Sequence, residues 1–227
     1  RCGSADVLEA AGVRLDVPPE GLATLVDELG IAFLFAPRLH PAMRAVMPVR
    51  RALGVRTTFN LLGPLTNPAG VRRQVVGVWG REVQDLVAAA LAELGALHAV
   101  VVHSDDGGDE MSVCAPTRVL EVRDGAVVAE HRVEPAALGL AAGDPARLKG
   151  GDVAENVARL EAILAGKERS AASEAVALNA GAALWVGGAA RDLAEGLERA
   201  RAVLASGAAH RRLAALAARS AELAFDV

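Results

Sequence analysis

Apolar and polar positions along this chain follow two distinct periods. Leu22, Leu25, Val26 and Leu29 recur three and four residues apart, the spacing of one helix face. Pro18-Pro19-Glu20 supplies a start for that helix and Gly30 a stop. A shorter helix is predicted over 5–11, with Asp6 and Glu9 near its start, where acids suit the helix dipole. From residue 74 the rhythm changes. Gln74–Trp79 reads as a strand, Glu82–Leu94 as a helix and Ala99–His103 as a buried strand. Such a strand–helix–strand unit implies a parallel pair. Arg118–Val122 and Val127–Val133 flank Asp124-Gly125, a hairpin turn signal. After a loop-rich stretch at 134–152 the pattern is helical again, over about 154–165, 171–186, 192–205 and 208–219.

Three stretches resist a single period. Ile31-Ala32-Phe33-Leu34-Phe35-Ala36, stopped by Pro37, fits either a short buried strand or a packed turn. His40-Pro41-Ala42-Met43 opens a short helix, Pro41 suiting its first turn. Pro48 kinks that helix, and a second short one ends at Gly54. Thr57–Pro68 holds two prolines, a glycine and two asparagines, and is expected to be an ordered loop.

Composition narrows the function classes. The 227 residues are 52% hydrophobic and 23% charged, too apolar for disorder and long enough to bury a core. That length suits one large domain, or one and a half. With 3% aromatics and no Tyr, the core must be built from Ala, Val and Leu. A net charge of −4 argues against a general nucleic-acid binder, so any phosphate chemistry is local to a site. Cys2 and Cys114 could form one bridge but not a disulfide framework, and a cytoplasmic setting fits them. No run approaches 18 apolar residues free of charge, and no signal-peptide pattern is present, so no membrane partner is expected. The opening Arg1-Cys2-Gly3-Ser4-Ala5-Asp6 reads as the interior of a longer protein, and a fragment is the expectation.

Candidate chemistry gathers in a few places. Asp105-Asp106-Gly107-Gly108-Asp109-Glu110 sets four carboxylates on a loop after a parallel strand, where open α/β sheets bind ligands. Adjacent acids there could hold Mg²⁺, which takes one or two carboxylates together with waters and substrate phosphates; a solvated acidic turn is the plainer reading. Arg38, His40, Arg44, Arg50, Arg51 and Arg56 form a basic stretch, and Arg suits bidentate carboxylate recognition. Gly3-Ser4 opens a helix, either as a phosphate-attracting N-terminus or as an ordinary cap. Lys149-Gly150-Gly151-Asp152 lacks the strand and residue order of a Walker motif, and the remaining His and Cys show no metal spacing.

In order and combination, several segments resemble anthranilate phosphoribosyltransferases. They are Gly3-Ser4-Ala5-Asp6-Val7-Leu8-Glu9-Ala10, Phe33-Leu34-Phe35-Ala36-Pro37 with His40-Pro41-Ala42-Met43, and Val49-Arg50-Arg51-Ala52-Leu53-Gly54-Val55-Arg56-Thr57. Phe59-Asn60-Leu61-Leu62-Gly63-Pro64-Leu65-Thr66-Asn67-Pro68, Val101-Val102-His103, Asp109-Glu110 and Gly150-Gly151-Asp152 with Asn156 follow. The Asn60–Pro68 and Asp109-Glu110 segments are the specific ones, and the resemblance runs through nearly the whole chain.

The resemblance implies an α/β fold with a mixed, mainly parallel sheet flanked by helices, of the nucleoside phosphorylase/phosphoribosyltransferase kind. Residues 1–227 would be its catalytic domain, incomplete at the N-terminus, with the helices at about 20–55 packing against a helical domain largely absent. The implied reaction joins the amine of anthranilate to C1 of 5-phospho-α-D-ribose 1-diphosphate (PRPP), releasing pyrophosphate, on the route to tryptophan. It also implies Asp109 and Glu110 as Mg²⁺ ligands, Ser4 as a PRPP contact, Arg50 facing the anthranilate carboxylate, and His40 and Pro64 lining the anthranilate route. A homodimer is implied, with small-molecule substrates and no nucleic acid. The family's Gly-rich PRPP loop falls upstream of Arg1, so little activity is expected from these residues alone. A pyrimidine nucleoside phosphorylase fits Asp109-Glu110 and the Asn60–Pro68 segment less well; a non-catalytic α/β module is the other alternative.

Overall fold

Four strands, the middle two largely buried and the last largely exposed, form the centre of the computed structural model, which describes residues 2–40, 59–141 and 143–225. The strands are β1 (Arg73–Gly77), β2 (His98–Ser104), β3 (Thr117–Arg123) and β4 (Ala126–Val133). In chain order the helices are α1 (Ser4–Ala10), α2 (Pro19–Leu29), α3 (Ala36–Leu39), α4 (Phe59–Leu65), α5 (Arg81–Glu93), α6 (Pro145–Leu148), α7 (Val153–Leu164), α8 (Ala171–Gly187), α9 (Leu193–Ala205) and α10 (Ala208–Leu223).

Among the described residues the sheet runs β1-β2-β3-β4. β1 and β2 are parallel, with Arg73 opposite His98 and Gly77 opposite Val102, and α5 makes the crossover between them. β2–β3 and β3–β4 are antiparallel. The sheet is therefore mixed as expected, but its balance is one parallel pairing to two antiparallel ones rather than mainly parallel. The β3–β4 hairpin accounts for part of this, since a two-residue turn can only return the chain antiparallel. Asp124 (φ 48°) and Gly125 (φ 78°) are both left-handed there, as a type I′ turn requires.

Helices cover both faces. Val76, Ala99, Val101, Leu120 and Val122 pack with Val87, Ala88 and Leu91 of α5. The intervening residues turn the other way, and His98 meets Trp185 of α8 edge-on at 5.2 Å. Gln84 of α5 is fully buried, and its amide donates to the carbonyls of Val101 and Arg118 at 2.8 Å each.

Phe59–Leu65 is helical, where the Pro and Gly content pointed to an irregular loop. Tertiary packing outweighs propensity here. Leu61 and Leu65, one turn apart, both pack on the α5 side of the sheet core. Pro64 removes one donor from a helix too short to have many, and Thr66 closes the last turn with its N–H and hydroxyl on the Leu62 carbonyl at 2.9 and 2.7 Å.

The chain divides into two compact units, each drawn from separate stretches. One comprises 1–57, 150–168 and 203–227, the other 58–149 and 169–202. Among its described residues the first unit is helical. Leu22 and Leu25 of α2 pack with Leu216 of α10, and Arg219 grips Glu28 with two hydrogen bonds of 2.7 and 2.9 Å. Gly30 closes α2 at φ 71°, and Pro37 sits in the first turn of α3. Of the ambiguous Ile31–Ala36 stretch, residues 31–35 form no strand but a packed connection that places Ala32 and Leu34 against the helices, and Ala36 opens α3. The helices expected between Pro41 and Gly54 lie outside the described residues. The second unit holds the sheet with α4, α5, α6 and α8 and most of α9.

Candidate functional site

β2 delivers the chain to the acidic loop, and its four carboxylates divide into two pairs. Asp105 is held by Arg132 at 2.8 Å and Arg81 at 3.0 Å, whose hydrogen bonds keep its carboxyl below the usual range. Asp106 turns back into the loop. It accepts from the Ser104 hydroxyl, from Gly108 N–H at 3.2 Å and from the Ser112 hydroxyl at 2.5 Å. Burial pushes the Asp106 carboxyl up, but the Ser104 and Ser112 hydroxyls and Gly108 outweigh it and bring it below the ordinary value. Asp109 and Glu110 are exposed, and among the described residues neither carboxylate has a partner.

Two adjacent, uncommitted carboxylates open to solvent fit Mg²⁺, whose shell is completed by water and substrate phosphates. Among the described residues no group of three or more His, Cys, Asp or Glu could hold a metal alone. The donor set therefore suits a substrate-shared hard cation better than a closed structural site. Beneath the loop lies Gly77, the last residue of β1. A Cβ there would run into the Asp109 carbonyl, so only glycine lets the loop come down onto the strand. On the far side Asn179 of α8 bonds both backbone groups of Met111 at 3.0 Å. Sequence reasoning missed Asn179. Its signal was an Asn inside the small and apolar helical run 175–186, where that residue is unfavourable unless its amide has work to do.

The other anticipated residues are distributed as follows. Ser4 is exposed at the start of α1 in the first unit, behind a turn closed by Gly3 N–H on the Asp6 carboxylate at 2.8 Å. His40 is half-buried in the same unit, and its N–H caps α3 on the Ala36 carbonyl at 3.0 Å. Pro64 is half-buried in the second unit and borders a recess of about 330 Å³ with Asn67, Arg72 and Leu91. Arg50 lies outside the described residues. Of the six, the structure brings Asp109 and Glu110 together at one strand end. Asp152 and Glu155 form a capping box at the start of α7, and Asn156 accepts from Gly151 N–H at 2.9 Å, so the Gly150-Gly151-Asp152 segment serves a helix start. Cys2 and Cys114 are free thiols.

A family model described as "Glycosyl transferase family, a/b domain" matches residues 1–210. This chain belongs to that glycosyl transferase family. Within it, the anthranilate phosphoribosyltransferase of Chloroflexus aggregans is 49% identical over 212 residues, 93% of this chain and 62% of the relative. That of Thermomicrobium roseum is 52% identical over 226 residues, 99% of this chain and 65% of the relative. The crystal structure of the Thermus thermophilus anthranilate phosphoribosyltransferase superposes with a TM-score of 0.91 at 46% identity, covering 97% of this chain and 65% of that one. The Saccharomyces cerevisiae enzyme in complex with PRPP and Mg gives 0.88 at 25% identity, covering 97% and 63%. The chain thus spans a little under two thirds of the length of these family members.

Proposed function

We propose that this chain carries the catalytic α/β part of an anthranilate phosphoribosyltransferase, with Mg²⁺ as cofactor. The observation that supports this best is the division of the acidic loop. Two of its carboxylates are consumed in holding it, and the two left free are adjacent, exposed and at a strand end. In the reaction the anthranilate nitrogen bonds to C1 of PRPP, the C1–O bond to pyrophosphate breaks, and the amine gives up a proton. Asp109 and Glu110 hold the metal. Bound Mg²⁺ offsets the negative charge that builds on the departing pyrophosphate. Ser4 contacts PRPP, Arg50 faces the anthranilate carboxylate, and His40 and Pro64 line the acceptor's route. An aromatic amine is nucleophilic while neutral, so alignment of donor and acceptor can supply much of the rate without a strong base. A homodimer in a cytoplasmic setting belongs to the same reading.

The test follows loss of anthranilate fluorescence with PRPP and Mg²⁺ in an enzyme completed to the length of its relatives, since little activity is expected from these residues alone. Asp109→Asn and Glu110→Gln should each lower kcat or raise the Mg²⁺ concentration needed for half-maximal rate, by about ten-fold or more. Phosphorolysis of a pyrimidine nucleoside, without turnover of anthranilate, would overturn the proposal.

A further inference from the structure

Asp109 and Glu110 sit on a stretch with no regular structure, so the direction of their carboxylates must be fixed from outside it. We infer that Asn179 is a positioning residue for this pair: by clamping Met111 it sets where Asp109 and Glu110 point. The inference rests on reading the two acids as metal ligands. The Asn179 Oδ1 accepts from Met111 N–H and its Nδ2 donates to Met111 C=O, both at 3.0 Å. A third bond, Nδ2 to the Ala175 carbonyl at 3.0 Å, ties the same amide to its own helix and fixes its rotamer. The helix is a rigid support, since Ala177 and Leu178 beside Asn179 are 1% and 0% exposed.

Met111 itself is 1% exposed, so its side chain anchors the point the amide grips. Upstream, Gly108 N–H is held by Asp106 and its carbonyl accepts from Ser104 N–H at 3.1 Å. Asp109 and Glu110 are therefore the two residues between two pinned points. The Asp109 carbonyl also lies against Gly77, so close that a Cβ there would collide with it, which leaves the loop little room on that side. A ligand pair ordered in this way meets its entropy cost during folding, not when the cation arrives. Releasing Met111 would free one end of the pair without touching either carboxylate.

The experiment titrates the protein with Mn²⁺ in the presence of pyrophosphate, reading free Mn²⁺ by electron paramagnetic resonance, beside thermal melts of each variant. Asn179→Ala should weaken Mn²⁺ about ten-fold or more, in the range seen when groups that orient metal ligands are removed. In an enzyme completed to the length of its relatives it should also raise the Mg²⁺ requirement of the reaction. Asn179→Asp is isosteric. It keeps the acceptor for Met111 N–H and loses the donor to Met111 C=O. Its added negative charge would by itself draw a cation, so a weaker affinity there reports misplacement. Asp109→Asn is the control. If it binds Mn²⁺ as tightly as the unaltered protein, the metal reading falls, and this inference with it. If Asp109→Asn loses Mn²⁺ while Asn179→Ala keeps it at a lower Tm, the metal reading stands and Asn179 only supports the fold. If neither Asn179 variant folds, its role is again in the fold and the inference is overturned.

Discussion

Glu121 of β3 is buried, with one arginine and two histidines around it. Arg123 reaches it at 2.5 Å, His131 at 2.7 Å and His98 at 3.3 Å. Burial pushes the Glu121 carboxyl up, but hydrogen bonds from His131 and Arg123 hold it below its ordinary 4.5. Burial pushes His98 below its ordinary 6.5, with Arg123 and Arg73 adding to the shift against the pull of Glu121. Its Nε2 lies 3.3 Å from Glu121 Oε1 but is not aligned for a hydrogen bond to it. Both folded pKa values are depressed, so the unfolded chain binds more protons in acid. The His98 contribution is complete above pH 6.5 and is lost as pH falls through its folded pKa; the Glu121 contribution is complete above 4.5 and lost further down. Tm should be level near neutrality and fall in two stages below about pH 6.5, and His98→Gln should flatten the first. A Tm that rises from pH 7 to pH 5 would contradict this. Residue by residue, the sequence showed that four acids share a loop, but not which were free. That depends on Arg81 and Arg132, which reach Asp105 from 24 and 27 residues away. Only the family resemblance singled out Asp109 and Glu110 in advance.

Elements with a strong period were legible, and those decided by distant packing were not. Leu22, Leu25 and Leu29 mark α2 by spacing alone, and Asp124-Gly125 marks the hairpin by turn chemistry. Gly63 and Pro64 argue against a helix that exists because Leu61 and Leu65 find the α5 side of the core. The sheet's antiparallel excess is likewise a matter of pairing partners, which a strand's own residues do not state. The crossing of α8 and α9 shows the same rule. A Cβ on Gly181 would come within 2.6 Å of Leu197 N, and one on Gly196 would strike the Gly181 carbonyl oxygen. Ala is the better helix former by about 1 kcal/mol, so propensity favours Gly196→Ala. The clash is backbone on backbone, which no rotamer relieves, and overpacking of this kind costs about 1–3 kcal/mol or more. Gly196→Ala should therefore lower the urea midpoint, whereas a raised midpoint would show that the two helices can slide apart.

The molecule as a whole is wired so that neither unit is a continuous stretch of chain. If 58–149 and 169–202 unfolded first, they would become long open loops joining the three pieces of the helical unit, and closing such loops costs entropy. One shared transition is expected for that reason. The division has an optical consequence. Tyr is absent and there are two Trp, Trp79 and Trp185, both in the unit that holds the sheet. Indole emission therefore reports on that unit alone, while far-ultraviolet circular dichroism weighs the helices of both. Heating one sample under the two signals compares the units directly, with no label and no mutation. Coincident curves mean that they melt as one body; a dichroism change displaced from the emission change would be the melting of a unit that has no fluorescence of its own.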